Sequence, residues 1–312
     1  MGNKSNHLFL HDLKKNRTMW IMILPTLLFF VLFAYFPMVG VYNAFTSYDY
    51  SKGLFRSPFI GFANFKFLFA GGQNSIIWQL TRNTVLYNLA FIFIGNFVEM
   101  LTAIILSELV GKAYKRITQS IMFLPYFISY VIVGVFIYSM LNYEYGLASN
   151  IANSLGRSPF DFYGTPAAWP IIIILAYLWK WIGYGMVIYL AAIMNMDRSV
   201  FEAADVDGAN VFQRIRNITI PMLMPTFIIL LLLSLGGIMR GQFDLFYQIV
   251  GNNGTLFNVT NIIDTYVFRT LTVNPNIGLG TAAGLYQSLF GMVVVLVVNF
   301  IVKKVNTDYA LF

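Results

Sequence analysis

Six long apolar stretches constrain what this chain can fold into. They lie near residues 19–45, 83–109, 118–141, 169–194, 221–239 and 280–302. Each is long enough to cross the roughly 30 Å hydrocarbon core of a bilayer, which takes about 20 mostly apolar helical residues. Because a helix satisfies its own backbone hydrogen bonds inside lipid, the sequence predicts an all-α polytopic membrane protein with six transmembrane helices.

The composition supports this prediction and narrows the chemistry. The chain is 58% hydrophobic and 11% charged, whereas soluble domains carry about a quarter charged residues. It has no cysteine, and its two histidines, His7 and His11, both lie in the polar N-terminal tail. These counts leave almost no ligands for a metal and no thiol nucleophile. We therefore expect neither a metal site nor catalytic residues.

The basic residues of the loops predict the orientation. With the N-terminus inside, the inner segments are residues 1–18, 110–117, 195–220 and 303–312, which hold 12 Lys or Arg in 62 residues. The outer segments are residues 46–82, 142–168 and 240–279, which hold 7 in 104. Since basic residues concentrate in cytoplasmic loops, we expect both termini, with the tails 1–18 and 303–312, in the cytoplasm.

The segment between spans four and five is the longest inner loop, with 26 residues. Asp197 or Ser199 can cap a short helix over residues 200–207, and Gly208 fits the left-handed position that ends it. A second helix begins near Asn210, and Pro221 fits the first turn of span five. The local pattern predicts a helix-Gly-helix elbow (residues 197–220). From these residues alone, an amphipathic connector that lies on the lipid headgroups is the favoured interpretation.

The spacing of the elbow resembles the EAA loop of permease subunits in binding-protein-dependent ABC importers. The matching residues are Glu202-Ala203-Ala204, Gly208 and the ending Ile218-x-Ile220-Pro221. Two departures are Ile220, where the family usually has leucine, and Asp197, where many relatives have proline. Asp207-Gly208-Ala209 resembles carbohydrate permeases of the maltose and glycerol-phosphate type. Residues 264–269 and 281–288 resemble the subgroup that imports complex oligosaccharides or polysaccharide fragments.

The resemblance implies the fold of a type I ABC importer permease in a bacterial cytoplasmic membrane. A first helix and outer loop (19–82) would precede a core transmembrane domain (83–302) that contains the elbow. The implied partners are a second homologous permease, two ATP-binding subunits and an extracellular solute-binding protein that delivers a carbohydrate. The chain has no G-x-x-x-x-G-K-[ST] loop, so ATP and Mg²⁺ are expected on the partner subunits.

The resemblance also assigns coupling residues. It implies that the elbow contacts an ATPase through Glu202, Ala203, Ala204, Asp207 and Gly208. On local grounds, Glu202 is equally well explained as a cap of its own helix through Ser199.

Span four carries the predicted substrate pathway. Tyr177, Trp181 and Tyr184 follow i, i+4, i+7 spacing on one helix face, and their rings combine flat apolar surfaces with hydrogen-bonding tips that suit sugars. Lys180 lies at the edge of this stripe and can bind an acidic sugar, pair with a carboxylate or extend to the interface. Ordinary helix packing explains the aromatic face equally well.

Glu99 is a charged residue well inside span two. A charge at that depth is expected to face the protein interior or a wet cavity. We predict either a role in the substrate pathway or a hydrogen bond to the neighbouring Asn96.

The outer loop 240–279 is predicted to help seat the binding protein. Arg240 and Asp244 are four residues apart and can pair on a helix that extends span five, and Arg269 is a further docking candidate. An apolar stripe in this loop is expected to pack against the spans of the chain itself. It consists of Ile262, Ile263, Tyr266 and Val267.

An ion-coupled secondary transporter is the main alternative, since it too would be polytopic. Its internal repeats and paired broken helices are not apparent in the sequence. A membrane-embedded enzyme is disfavoured because H-E-x-x-H and G-x-S-x-G are absent. The motifs therefore favour a permease without catalytic activity of its own.

Overall fold

A computed structural model describes residues 15–72, 75–273 and 275–305, and this part of the chain is almost entirely helical. In chain order the helices are α1 (Arg17–Phe45), α2 (Ala63–Phe69), α3 (Ile76–Glu108), α4 (Lys112–Phe127), α5 (Tyr130–Leu141), α6 (Leu147–Ser154), α7 (Trp169–Met194), α8 (Arg198–Val206), α9 (Val211–Leu235), α10 (Phe243–Val250), α11 (Phe257–Thr260), α12 (Ile263–Thr272) and α13 (Ile277–Val305). Within the described ranges, five helices are long and apolar enough to span a bilayer: α1, α3, α7, α9 and α13. The predicted all-α polytopic class is confirmed.

The third predicted span is not the continuous helix expected over residues 118–141. It is a broken pair, α4 and α5, whose axes meet at 97°. Pro125 lies in the tight last turn of α4, and the backbone is extended at Ile128 and Ser129, which precedes α5 as its cap. Proline and the capping serine both favour a helix boundary. The pair counts as a sixth span only if its halves are taken together.

The fifth span begins earlier than predicted. α9 starts at Val211 and runs through Pro221 without a break, so the second arm of the elbow and the span form one helix. A widened turn at Ile215–Thr219 precedes Pro221. Because proline has no amide proton for the helix ladder, an irregular turn beside it is a common accommodation. Movement of the elbow arm is therefore movement of the span.

α3 and α7 form the centre of the bundle. Toward the start of α7, an apolar cluster joins Tyr87, Trp169, Ile173, Phe246 and their neighbours. Toward its end, a second cluster joins Met100, Ile104, Met186, Tyr189 and Leu223. α4 packs directly on α7 at Gly183, where an added Cβ would overlap the backbone of Met122 and Phe123. These contacts leave a polar space between the two clusters.

Candidate functional site

A cavity of about 360 Å³ lies between α3, α7 and α9. Its lining residues are Asn88, Phe91, Ile92, Asn96, Glu99, Tyr177, Trp181, Tyr184, Gly185, Ile188, Leu230, Ser234, Gly237, Arg240 and Gln242. Aromatic rings, amides, one carboxylate and one guanidinium therefore converge in a space of the size typical for small-molecule sites. The predicted residues Glu99, Tyr177, Trp181 and Tyr184 all line it.

The aromatic wall is formed by α7. Tyr177 stacks on Phe91 with 4.0 Å between ring centroids. The indole Nε1 of Trp181 donates a hydrogen bond to the hydroxyl of Tyr130 at 2.8 Å. Tyr184 stacks on Tyr126 at 4.7 Å and keeps 43% of its surface exposed. Packing fixes one face of each ring, and the structure places all three residues at the cavity surface.

Glu99 occupies the wall contributed by α3. It packs against Gly185, where an added Cβ would overlap the carboxylate. The predicted alternative partner, Asn96, is used otherwise: its amide nitrogen donates to the carbonyl of Ile92 at 2.7 Å, and its oxygen accepts from Tyr189 at 3.2 Å. No hydrogen bond among the described residues joins Asn96 to Glu99. The carboxylate of Glu99 is thus available to the cavity.

Lys180 does not line the cavity, which corrects its predicted place in the substrate pathway. Its side chain is buried, and Nζ donates to the carbonyl of Tyr126 at 3.0 Å and to those of Pro125 and Ile128. These carbonyls lie at the break between α4 and α5, where the last carbonyls of a helix need partners from outside it, although that of Pro125 also accepts from the Ile128 amide. A cation at a helix C-terminus also complements the helix dipole. Lys180 therefore stabilises the broken span.

The predicted pairing of Arg240 with Asp244 is wrong. α9 ends at Leu235, and a non-helical segment separates it from α10, so the two residues do not share a helix. The ion pairs of the described residues include neither of them. Arg240 is exposed and lines the cavity, whereas Asp244 is exposed on α10. The Gly236-Gly237 pair is the sequence feature that could have located this helix end.

Arg269 is held inside the outer loop. Its guanidinium donates to the carbonyl of Gly251 at 2.8 Å and to Asn261 and Asn252 at 2.7 and 3.2 Å. It also lies 4.1 Å from the ring of Phe257. Arg269 thus fastens the loop rather than presenting a free charge. The predicted packing of the apolar stripe is confirmed: Ile262, Ile263, Tyr266 and Val267 pack in the apolar clusters of the bundle.

The elbow is built from local capping interactions. Asp197, rather than Ser199, caps α8: its carboxylate accepts from the Ser199 amide at 2.9 Å, and this bonding holds the pKa of Asp197 below its usual value. Gly208 has a φ of +75° with open space around it, as predicted. Asn210 and Gln213 exchange side-chain to backbone hydrogen bonds of 2.9 and 2.8 Å at the start of α9. Glu202 is therefore not needed to cap its helix.

The elbow presents an exposed surface. Glu202, Ala203, Asp207 and Gly208 are exposed, and Ala204 is half-buried. Two apolar side chains flank them, Val206 at 87% and Phe212 at 83% exposure. Apolar groups exposed beside a polar surface are typical of a protein interface.

A helical membrane protein with a polar cavity between its spans and an exposed elbow at their end has the organisation of a transporter's membrane subunit. The family model described as "Binding-protein-dependent transport system inner membrane component" matches residues 95–307. The chain belongs to this family and has its type I importer permease fold.

Relatives and solved structures agree with this assignment. Protein LplB of Bacillus subtilis is 30% identical over 95% of this chain and 92% of its own length. The polygalacturonan/rhamnogalacturonan transport system permease protein YteP of the same species is 30% identical over 94% of this chain and 90% of its own length. A bacterial ABC transporter that imports the acidic polysaccharide alginate matches with a TM-score of 0.83 at 30% identity, over 96% of this chain and 99% of that chain. A second structure, of a bacterial alginate ABC transporter in complex with an alginate pentasaccharide-bound periplasmic protein, matches with a TM-score of 0.81 at 30% identity. The match covers 95% of this chain and 97% of that chain.

The family assignment decides between the alternatives left open by the sequence. A membrane component of a binding-protein-dependent system is a transport permease driven by separate subunits, and the ion-coupled secondary transporter is thereby disfavoured.

Proposed function

We propose that this chain is one of two permeases of an ATP-driven importer that carries an oligosaccharide into the bacterial cytoplasm. The observation that carries the proposal is the cavity between α3, α7 and α9, which combines stacked aromatic rings with amides and two opposite charges. The relatives named for polygalacturonan, rhamnogalacturonan and alginate support a carbohydrate as cargo. The core transmembrane domain would extend over residues 83–302.

The cavity has the chemistry that sugar rings require. Tyr184 offers an exposed ring face, and Tyr177 and Trp181 extend the same wall. Apolar C–H faces of a sugar pack on such rings, while Glu99 and Arg240 can bond its hydroxyl or carboxyl groups. At about 360 Å³ the cavity holds only part of an oligosaccharide at a time. The homologous second permease would complete the pathway.

The elbow is the proposed contact with the ATP-hydrolysing subunit. Glu202, Ala203, Ala204, Asp207 and Gly208 would meet a cleft of that subunit, and the small alanines allow close approach. Val206 and Phe212 supply apolar surface beside them. ATP and Mg²⁺ would bind to the ATPase pair, and closure of that pair would displace the elbow. Because the second arm of the elbow is the first part of α9, the displacement would tilt that span. The cavity would then open alternately to the two sides of the membrane.

The proposed orientation places the elbow in the cytoplasm and the outer loops toward the binding protein. Its support is the higher density of Lys and Arg in the inner segments. Both termini would then be cytoplasmic, although residues 1–14 and 306–312 of the two tails lie outside the described part of the chain. Asp244 remains a proposed docking residue because it is exposed on α10. Arg240 and Arg269 are better explained by the cavity and the outer loop.

The test is uptake by proteoliposomes that contain the complete complex. A screen of neutral and uronate-containing oligosaccharides against the binding protein supplies the labelled cargo. Trp181→Ala and Tyr184→Ala should each lower uptake while complex assembly and binding-protein docking persist. Trp179→Ala is the matched control, because Trp179 lies on the same helix but stacks on Phe136 outside the cavity. Parental uptake by both cavity variants would contradict the proposed pathway.

A further inference from the structure

One arginine joins the elbow to the wall of the cavity. Arg214 lies in the first turn of α9, and its Nη2 is 3.2 Å from Oε2 of Glu108, the last residue of α3. Its Nη1 pairs with Asp205 of α8. A single guanidinium therefore connects three helices, two of which are the arms of the elbow.

The surroundings make the contact between Arg214 and Glu108 more than a surface ion pair, whereas the side chain of Asp205 is 56% exposed. The side chain of Arg214 is only 21% exposed, and that of Glu108 is 26% exposed. Partial burial reduces the screening that weakens fully exposed pairs. A planar guanidinium also presents its donors to two carboxylates in fixed directions, whereas an ammonium is a compact charge with rotatable donors. The geometry therefore suits an arginine specifically.

α3 extends from this contact to the cavity. Glu99 lies nine residues before Glu108 on the same helix, which is about 13.5 Å along its axis. Between them, Met100, Ala103, Ile104 and Leu106 are buried against α7 and α9. Tight packing of this kind transmits a displacement instead of absorbing it. A movement of the elbow would thus reach the wall that carries Asn96 and Glu99.

We propose that Arg214 is a positioning residue that couples the elbow to α3, so that the stroke of the ATPase moves the cavity wall directly. The inference rests on the proposed function. Without Arg214, the elbow would act on α3 only through the apolar packing of Ile215 and Ile220 and through its covalent connections to α7 and α9.

The first test is a double-mutant cycle in the reconstituted complex. Arg214→Gln should lower the amount of oligosaccharide imported per ATP hydrolysed by roughly two- to thirtyfold, the range of coupling effects carried by single residues. Glu108→Gln should have a similar effect, and the double variant should be no worse than Arg214→Gln. Arg214→Lys should give a ratio of oligosaccharide imported to ATP hydrolysed between those of Arg214→Gln and the parental complex. Arg216→Gln, which changes an exposed arginine of the same helix, should keep the parental ratio.

A reversible tether provides the second test. The chain has no native cysteine, so Glu108→Cys and Arg214→Cys can be bridged by a bifunctional thiosulfonate reagent. Bridging should restore the import ratio, and a reductant should abolish it again. Each single-cysteine variant, treated with the same reagent in the same complex, controls for reaction elsewhere.

Three results would overturn the inference: a parental import ratio for Arg214→Gln, additive losses in the cycle, or a tether that forms in the assembled complex without restoring the ratio. The last result would show that the contact only stabilises the fold. Failure of the proposed function can be distinguished from failure of this inference, because the parental complex itself would then import none of the oligosaccharides screened.

Discussion

The turn and helix caps of the elbow are formed by neighbours in sequence, whereas the cavity joins residues as distant as Asn88 and Gln242. The caps at Asp197 and Asn210 and the turn at Gly208 all act within a few residues of themselves. The cavity exists only because α3, α7 and α9 pack around it. The difference indicates that changes in the caps and turn of the elbow should leave the assembly of the spans intact, while changes in the cavity wall should affect that assembly.

Two glycines show the contrast directly. Gly208 has open space around it and is required for its backbone conformation, at a φ of +75°. Gly183 is helical, and an added Cβ there would overlap backbone atoms of α4. One glycine serves a turn and the other serves close approach between helices.

The largest effect is expected for Gly183→Val. The side chain would force α4 away from α7, at or above the upper end of the roughly 1–3 kcal/mol typical of overpacking. Because Lys180 binds the carbonyls of the same segment, the break in the third span would be displaced as well. The yield of assembled complex in size-exclusion chromatography should fall sharply. A parental yield would show that the contact between α4 and α7 is looser than the structure indicates.

Gly208→Val should weaken the coupling between the ATPase and the permease while the complex still assembles. A left-handed conformation costs a non-glycine residue roughly 1–2 kcal/mol, and here the strain is confined to the elbow. We expect weaker binding of the ATPase and reduced stimulation by loaded binding protein, with a normal yield of permease. Gly208→Asn should be milder, since asparagine tolerates this conformation. If Gly208→Val lowered the yield of assembled complex as much as Gly183→Val does, the strain at Gly208 would not be confined to the elbow.

Glu99→Gln tests the cavity without changing its shape. The substitution replaces an ionisable carboxyl group by a neutral amide of nearly the same size that can still form hydrogen bonds. Uptake should fall about tenfold, which corresponds to about 1.4 kcal/mol of interaction with the cargo. Assembly should persist, and basal ATPase activity is the control. Unchanged uptake would mean that Glu99 has only a structural role.

The smallest effect is expected at Asp264 of α12, outside the spans. Burial raises the pKa of Asp264 above its ordinary 3.8, although hydrogen bonds from the Gly241 amide and Gln287 oppose the shift. The folded state therefore binds a proton more readily than the unfolded state, so this group's contribution to stability should decrease as pH rises from 3.8 through the raised pKa. Asp264→Asn should remove that pH dependence of thermal unfolding. The exposed Asp244→Asn serves as the control, and an unaltered profile in Asp264→Asn would contradict the assignment.

The same contrast explains how much the sequence could predict. Gly208 and the elbow follow from local rules, and the i, i+4, i+7 register of Tyr177, Trp181 and Tyr184 correctly gave one face. The role of Lys180 could not be foreseen, since its carbonyl partners belong to a helix more than 50 residues away. The predicted helix through Arg240 fails because the helix ends at Gly236-Gly237. The failure at Lys180 reflects packing between distant helices, whereas the failure at Arg240 reflects a local helix end.

Single-cysteine crosslinking tests the central claim most directly, namely that the elbow meets the ATPase at the end of the bundle opposite the binding protein. α7 has 26 residues, or about 39 Å of helix, and separates the elbow from the outer loops. In the cysteine-free chain, Val206→Cys, at a site 87% exposed, should crosslink to the ATPase, while Asp244→Cys should crosslink only to the binding protein. Crosslinking of Val206→Cys to the binding protein, or its labelling from outside the cell, would contradict the proposed orientation and coupling.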